Sequence, residues 1–138
     1  MILRPMTMAD ADKMLEWKNY PETRKFAIAS HALIKKADHY KWLEKNIQHF
    51  QIIEGIEKEK MGAVRIENQE ISIWIDNEYW GKGIASFVLE MIYEDEMFAK
   101  IVDGNIASMR AFIKAGFKPY TYNITNYRLN SNYYIFKR

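Results

Sequence analysis

Cysteine is absent from this sequence of 138 residues, and its absence excludes disulfide bonds, thiolate metal sites and cysteine nucleophiles. No apolar run approaches the roughly 18 residues that a membrane-spanning helix requires, so we expect no membrane partner. The formal net charge is only +2, with both signs mixed along the chain, which gives no reason to expect binding to nucleic acid. The N-terminal stretch MILRPMTMADAD reaches acidic residues at once and does not resemble a signal peptide. Together these features favour a cytoplasmic location.

Only three prolines and six glycines interrupt the chain, and neither a linker nor an internal repeat is visible. Apolar residues make up 49% and charged residues 28% of the sequence, a balance typical of globular proteins. A chain of this length forms one core rather than several. We therefore expect a single domain over residues 1–138.

The spacing of apolar residues predicts a mixed α/β domain. Thr7 is a suitable N-cap for a first helix that ends before Pro21, whereas residues 22–34 show no clear pattern. Asn105 and Gly116 are suitable start and stop signals for the last helix. We predict four helices, over residues 8–19, 36–47, 84–98 and 105–117. We predict seven strands, over residues 1–5, 50–56, 60–67, 70–77, 99–104, 118–124 and 132–138.

The stretch YWGKGIAS, residues 79–86, is a glycine-containing turn between a predicted strand and a predicted helix. Main-chain N–H groups at the start of a helix, together with the helix dipole, can bind a pyrophosphate. The turn is not a P-loop, because Lys82 is followed by Gly83 rather than by serine or threonine. It also departs from the dinucleotide fingerprint, since Ser86 occupies the place of the third glycine. Two interpretations stay open: an anion-binding turn, and a helix start that uses glycine only for its backbone angles.

Two motifs resemble the signatures of the GNAT superfamily of acetyl-CoA-dependent N-acetyltransferases. The first, Gln/Arg-x-x-Gly-x-Gly/Ala, corresponds to residues 80–85, with Trp80 in place of the usual glutamine or arginine. The second signature is matched by Asn105, Ser108, Phe112, Gly116 and Phe117. The predicted order of elements is similar to the family fold along the whole chain. The resemblance implies a GNAT fold, with a mixed, mostly antiparallel sheet of about seven strands flanked by about four helices.

The resemblance also implies how acetyl-CoA binds. Its pyrophosphate lies on the main-chain N–H groups of residues 81–86, where Gly83 lets the backbone approach and Ala85 keeps the helix close. The strand before the turn parts from the next strand, and the pantetheine arm pairs with the backbone of residues 73–75 in the gap. The cofactor-binding residues predicted in this way are Ile73, Trp74, Ile75, Trp80, Gly81, Lys82, Gly83, Ile84, Ala85, Ser86, Asn105, Ser108 and Phe112.

The implied reaction moves an acetyl group from a thioester to an amine, which requires a base for the amine and a proton for the leaving thiolate. Many family members use a tyrosine as the acid at the position of Phe112, which cannot donate a proton. Glu67 and Glu70 are weak candidates for the base, because a solvated hairpin charge is the more ordinary interpretation of each. Several tyrosines near the C-terminus could supply a hydroxyl: Tyr120, Tyr122, Tyr127, Tyr133 and Tyr134. The catalytic residues stay unassigned, catalysis by proximity with water as the base stays open, and no metal is predicted.

Two N-terminal segments resemble those of family branches that acetylate nucleotide-linked amino sugars or ribosomal-protein N-termini. They are LEWKNYPETRK, residues 15–25, and ADHYKWLE, residues 37–44. The resemblance places Asn19, Arg24 and His39 against the acceptor, although a solvent-exposed histidine at a helix start is an equal interpretation of His39. We favour a small-molecule amine such as a nucleotide-linked amino sugar, since no acidic groove for a basic protein tail is evident.

Other interpretations stay open. The acceptor can be a protein N-terminus, as in the ribosomal-protein branch. Because Phe112 replaces the usual acid, the chain can also be a module of the same fold that binds acyl-CoA without turnover. If the motif match is chance, the chain is a nucleotide-binding domain of another family. Trp17 and Trp42 are expected to pack between the first two helices, and a homodimer is compatible with the sequence.

Overall fold

Seven strands form one sheet in the computed structural model, which describes residues 1–28, 30–92, 94, 96–126 and 131–138. The strands are β1 (Ile2–Pro5), β2 (Phe50–Glu54), β3 (Lys60–Glu67), β4 (Glu70–Ile75), β5 (Phe98–Val102), β6 (Lys118–Asn126) and β7 (Ser131–Lys137). Their order in the sheet is β1-β2-β3-β4-β5-β7-β6. All neighbours are antiparallel except β4 and β5, which run parallel. The predicted mixed, mostly antiparallel sheet of about seven strands is confirmed.

Five α-helices flank the sheet in the described part of the chain. They are α1 (Ala11–Asn19), α2 (Pro21–Lys25), α3 (Lys36–Asn46), α4 (Ile84–Met91) and α5 (Ile106–Lys114). Four of them were predicted, and the short α2 overlaps the stretch 22–34, which showed no clear pattern. Pro21 ends α1 as expected, but it also begins α2, because its fixed φ suits the first position of a helix.

Helix α4 is shorter than predicted, since it ends at Met91 rather than at Phe98. The next residue, Ile92, adopts an extended backbone with φ −84° and ψ 115°. Residues 94–96 are all acidic, and in a longer helix they would lie at the negative end of the helix dipole. The acidic run therefore opposes the apolar periodicity and ends the helix early.

The sheet separates two hydrophobic cores. On one side α4 and α5 cover the sheet through side chains that include Leu89 and Phe112. On the other side α1 and α3 contribute Trp17 and Leu43, which pack with Phe50 of β2. Trp17 is fully buried, so its predicted packing is confirmed. Among the described residues, no helix is long and apolar enough to cross a membrane.

Strands β3 and β4 approach each other closely at Gly62, which pairs with Ile75. A Cβ atom added to Gly62 would lie 2.2 Å from the carbonyl oxygen of Trp74. Such a contact is with backbone, which cannot rotate away as a side chain can. Glycine at this position therefore lets β3 and β4 stay closely paired as far as Ile75.

We expect Gly62→Ala to lower the free energy of unfolding by about 1–3 kcal/mol, because the new methyl group overpacks a rigid backbone contact. Gly55→Ala is the matched control, since its added Cβ would meet mainly the carboxylate end of Glu59, a flexible group that can turn aside by giving up one hydrogen bond from the Glu57 N–H. Urea unfolding of both variants measures the difference. Equal losses in the two variants would contradict the role given to Gly62.

Candidate functional site

The opening between β4 and β5 is the central feature of the candidate site. Within the described residues the two strands pair only between Glu70 and Phe98. The Phe98 N–H also donates to the carbonyl oxygen of Gln69 at 3.0 Å. From there β4 continues to Ile75 with β3 on one side and, in the described part of the chain, without a strand on the other. The parting of two strands that the family resemblance implies is therefore present.

Alternate residues of β4 direct their backbone groups into this opening. The carbonyl of Gln69 points towards β5, whereas the N–H of Asp76 donates to the carbonyl of Met61 in β3 at 2.8 Å. Successive residues of a strand direct their N–H and C=O groups to opposite edges. It follows that Ile73 and Ile75 direct theirs into the opening, where an extended chain with amide groups can pair with both groups of Ile73 and with the N–H of Ile75.

The glycine turn lies at the wide end of this opening. Gly81 and Gly83 have φ values of +75° and +76°, which are left-handed conformations that favour glycine. A Cβ atom added to Gly81 would meet no atom within 4 Å, and one added to Gly83 would meet only the Ser86 hydroxyl oxygen at 4.0 Å. The space above the turn is therefore open. Because the first N–H groups of a helix have no partner inside it, the start of α4 presents them to this space.

Trp80, which departs from the family motif, has two partners in the fold. Its indole N–H donates to the carbonyl oxygen of Ile75 at 2.8 Å. Its ring meets the ring of Tyr20 edge-on, with the centroids 5.8 Å apart and the planes at 90°. The indole thus holds the last carbonyl on the open edge of β4 and contacts the residue that follows α1. These contacts do not involve the main-chain N–H groups of the turn.

Asp76 follows β4 directly and ties the turn to α1. It is 4% exposed, and its carboxylate accepts hydrogen bonds from the Trp17 indole N–H at 2.9 Å and the Glu78 N–H at 3.1 Å. The Lys13 ammonium lies 3.2 Å from the same carboxylate. Burial alone would raise the pKa of Asp76, but the hydrogen bonds from Trp17, Glu78 and Lys13 outweigh it and hold the pKa below its usual value. Sequence analysis missed this residue, although an acid directly after an apolar strand and shortly before a glycine turn is a usable signal.

Helix α5 packs against α4 and contributes to the same core. The Asn105 side chain caps the helix, because its Oδ1 accepts a hydrogen bond from the Ser108 N–H at 3.4 Å. Phe112 is 3% exposed and packs edge-on against Phe117, with the ring centroids 4.9 Å apart. The same core contains Ile101 of β5. These residues hold the helix in place, and their contacts with acetyl-CoA stay a prediction.

Both candidate bases are held in ion pairs. Glu67 pairs with the neighbouring Arg65 and lies 3.4 Å from a ring nitrogen of His49. Glu70 lies 3.6 Å from the ammonium of Lys100. Both carboxylates also lie at the closed end of the opening, where β4 and β5 still pair. In the described residues, no group of three or more His, Asp and Glu side chains lies close enough to hold a metal ion.

The candidate tyrosines differ in environment. Tyr120 is 68% exposed, and the Tyr122 hydroxyl donates to Asp103 at 3.2 Å. Tyr134 packs against the core beneath α4 and α5. Tyr133 lies beside Lys100, whose ammonium is 5.9 Å from the centre of its ring. Tyr127 lies outside the described residues.

The side chains of all three residues that were predicted to face the acceptor make hydrogen bonds with backbone groups of the protein. The Asn19 side chain makes two hydrogen bonds with the backbone of Ile34, at 2.9 and 3.1 Å, and so closes the loop between α2 and α3. The Arg24 guanidinium donates to the carbonyl of Asn19 at 3.2 Å. His39 is 2% exposed, and its Nε2 lies 2.9 Å from the carbonyl oxygen of Ala11. The interpretation of His39 as a solvent-exposed side chain is wrong, because α3 turns it towards α1.

A cavity of about 350 Å³ lies between α1 and α3, on the side of the sheet opposite α4 and α5. It is lined by Lys18, Ile34, Asp38, His39 and Trp42. Of the predicted acceptor residues, only His39 lines it. Trp42 packs edge-on against Phe50 but remains 37% exposed, so it packs between the helices less completely than Trp17. Lys18 was not among the predicted site residues, because a lysine on a helix usually faces solvent.

Comparison with known proteins identifies the family of this chain. The acetyltransferase (GNAT) domain family matches residues 1–118. The chain belongs to this family. A protein of Methanocaldococcus jannaschii that bears no functional name is 26% identical over 134 residues, a match that covers 85% of this chain. The chain spans only 28% of the length of that relative.

Two solved acetyltransferases share the fold. The ribosomal-protein-alanine N-acetyltransferase from Brucella melitensis has a TM-score of 0.80 at 18% identity, over 100% of this GNAT chain and 99% of its own. The spermidine N-acetyltransferase from Vibrio cholerae, in complex with CoA and spermine, has a TM-score of 0.81 at 15% identity, over 98% and 93% of the two chains. At sequence identities this low, the comparison shows a shared fold and nothing about a shared substrate.

We expect Asp76→Asn to lower the free energy of unfolding by about 1–3 kcal/mol at neutral pH, because Lys13 loses its counter-ion and the hydrogen bonds weaken. The folded pKa of Asp76 lies below its unfolded value of about 3.9, so its contribution is complete above that value and is lost as the pH falls towards the folded pKa. Unfolding measured between neutral pH and about pH 2 should therefore show a smaller acid loss in the variant than in the wild type. Parallel pH profiles would contradict this account.

Proposed function

We propose that this domain transfers an acetyl group from acetyl-CoA to a primary amine. The observation that carries the proposal is the opening between β4 and β5, whose free backbone edge leads to a left-handed glycine turn at the start of α4. Acetyl-CoA has the matching order of parts: a pyrophosphate, then an arm with two amide groups, then the thioester. Membership of the GNAT family agrees with this function.

In the proposed complex the pyrophosphate accepts hydrogen bonds from the main-chain N–H groups of residues 81–86. The amide-containing arm pairs with the backbone of residues 73–75, as an added strand does. Trp80 bounds the place where the arm bends from the turn to the strand, and the residues of α5 close the other side. The thioester then reaches the narrow end of the opening, near the middle of β4.

The reaction joins the acceptor nitrogen to the thioester carbonyl carbon. A C–N bond forms, the C–S bond breaks, and CoA leaves as a thiolate that gains the proton given up by the amine. Backbone N–H groups on the free edge of β4 are the proposed donors to the oxyanion. Because Glu67 and Glu70 are paired with cations and Phe112 carries no hydroxyl, we propose that water moves the proton. Orientation of the two reactants can contribute about 7–11 kcal/mol.

The acceptor that we favour is a small molecule such as a nucleotide-linked amino sugar, acetylated in the cytoplasm. The compact cavity between α1 and α3 supports a small acceptor rather than a basic protein tail. The buried phenyl ring of Phe112 favours one other function, an acyl-CoA-binding module without turnover. Calorimetry with acetyl-CoA tests binding, and thiol release with a panel of amines and an N-terminal alanine peptide tests turnover and acceptor. Tight binding without thiol release from any amine would favour the binding module.

We expect Gly83→Asp to abolish measurable acetyl-CoA binding, because a carboxylate would enter the phosphate site. Gly116→Asp is the matched control, since Gly116 also has a positive φ, +95°, and an added Cβ would meet no atom within 4 Å. Both variants carry the same backbone strain and the same added charge, but only one lies at the turn. Calorimetry on folded samples of each compares them. Unchanged affinity in Gly83→Asp would remove the assignment of the pyrophosphate to this turn.

We expect Phe112→Tyr to change turnover by less than tenfold while acetyl-CoA binds about as well as before. The added hydroxyl can speed the reaction only if departure of the thiolate limits the rate and the hydroxyl reaches the sulfur, in which case general-acid help gives up to about 100-fold. Steady-state rates with a confirmed acceptor measure the change, and thermal unfolding shows whether the buried hydroxyl destabilises the fold. A gain well above tenfold would show that the acid role was vacant.

A further inference from the structure

The cavity between α1 and α3 contains a cation without a carboxylate partner. The Lys18 ammonium lies 3.8 Å from the centre of the Trp42 ring and 5.8 Å from that of Phe50. Within the described residues, no carboxylate oxygen lies within salt-bridge distance of it. Burial, and then the nearby guanidinium of Arg65, lower the pKa of Lys18 to about 8, so it is still mostly charged at neutral pH.

A second cation lies on the same aromatic ring. The Arg65 guanidinium carbon is 6.0 Å from the centre of the Trp42 ring, so Arg65 and Lys18 repel each other across this site. Arg65 is already paired with Glu67, whereas Lys18 is not paired. Asp38 is the one carboxylate among the described residues that line the cavity, and it is exposed. The lining therefore holds one ammonium group without a carboxylate partner and one exposed carboxylate.

His39 lines the same cavity and carries a buried polar atom without a partner among the described residues. The side chain is 2% exposed, and Nε2 lies 2.9 Å from the carbonyl oxygen of Ala11, which can only accept, so Nε2 carries the hydrogen. The buried Nδ1 has no partner among the described residues. A buried polar atom without a partner is unusual in a folded protein and is consistent with a site for a ligand. In the neutral ring Nδ1 accepts a hydrogen bond, and in the protonated ring it donates one.

We propose that this cavity is an anion subsite, which holds a carboxylate or phosphate group of the amine acceptor between Lys18 and His39. The proposal rests on the proposed acetyltransferase function and adds a class of substrate to it. Lys18 gains the counter-ion that it lacks, and the anion screens Lys18 from Arg65. Burial, with a smaller contribution from Lys18, lowers the pKa of His39 and keeps the ring neutral, so Nδ1 accepts a hydrogen bond. A singly protonated phosphate can donate that bond, whereas a carboxylate at neutral pH binds through Lys18 alone.

The position of the cavity relative to β4 adds a constraint on the acceptor. Phe50, which Lys18 contacts, stacks on Trp74 of β4 with the ring centroids 5.9 Å apart. Two aromatic rings therefore separate the anion subsite from the strand that borders the opening. The acceptor must carry its anion several bonds away from the amine, as phosphorylated or acidic amino sugars do. A polyamine would instead bring a cation towards Lys18.

Binding of the anion is tested without turnover, by following the ring signals of His39 in NMR spectra during titration with inorganic phosphate and, separately, with acetate. We expect a saturable shift with at least one of the two anions. The anion that binds more tightly identifies the anionic group of the acceptor as a phosphate or a carboxylate. Lys18→Met should weaken that binding roughly 10-fold to 100-fold, the range of a charged hydrogen bond. Lys18→Arg should retain most of it.

Lys36→Met is the matched control. Lys36 also lies over an aromatic ring, 5.6 Å from the centre of Tyr40, but its ammonium is exposed and is paired with Asp12 at 3.5 Å. We expect the Lys36→Met variant to show the same titration as the wild type. The absence of a saturable shift in the wild type, or a shift that survives Lys18→Met, would overturn the proposal.

Turnover is then compared among glucosamine, glucosamine 6-phosphate, 2-amino-2-deoxyglucuronic acid and spermidine. The three sugars differ only at the sixth carbon, so they separate a neutral, a phosphate and a carboxylate group. We expect an anionic sugar to have a KM at least tenfold below that of glucosamine, with the difference lost in Lys18→Met. Equal KM values for the three sugars would count against the subsite, whereas a positive titration without thiol release from any amine would count against the transferase function alone.

Discussion

The opening between β4 and β5, in the middle of the sheet, is the feature on which the candidate site depends. An unpaired backbone group removed from water costs about 1–3 kcal/mol, so neighbouring strands normally pair along their length. Here β4 and β5 share one register position, and the backbone groups of Ile73 and Ile75 face the opening. The opening persists because each strand is fixed from its other side. β3 pairs with β4 from Glu70 to Ile75, and β7 pairs with β5 from Phe98 to Val102.

Two indole groups complete this support at the wide end of the opening. An indole N–H donates but does not accept, which suits a carbonyl or carboxylate oxygen, since these only accept. The Trp80 indole donates a hydrogen bond to the Ile75 carbonyl, and the Trp17 indole donates one to the Asp76 carboxylate. The contact of Trp80 with Tyr20 joins the same region to the end of α1. The glycine turn and α1, which borders the cavity lined by Lys18, are thus parts of one connected structure.

The range of each interaction explains how much of this was predictable from the sequence. Local patterns were sufficient for most elements: alternation predicted β4, and Asn105 and Gly116 marked the limits of α5. The end of α4 was predicted wrongly, because an acidic run opposes a periodicity that continues past it. The burial of His39 depends on Ala11, which lies 28 residues away, and the Trp17–Asp76 bond joins residues 59 apart. In each pair, the sequence around one residue does not indicate which distant residue it will contact.

The opening itself was implied only by the resemblance to a family. Alternation of apolar residues describes a single strand and its two faces, but it does not say which strand lies beside it or where the pairing stops. The two motifs supplied that information through the family resemblance: one lies at the turn after β4, and the other begins α5, the helix that follows β5. By contrast, Lys18 and its cavity belong to neither motif, and their partners become visible only when α1 and α3 are packed together.

The position of Phe112 connects packing with chemistry. The cap at Asn105 sets the register of α5, and Phe112, two turns later, falls on the face that is buried against Phe117. A tyrosine hydroxyl at such a position would need a hydrogen-bond partner, whereas a phenyl ring needs none. In the proposed reaction, therefore, this side chain contributes shape and not a proton. Selectivity must then come from where the two substrates are held: the thioester by the open edge of β4, and the acceptor by contacts far enough from its amine to orient it. An enzyme built in this way distinguishes acceptors by the distance between their amine and their anchoring group more than by the basicity of the amine.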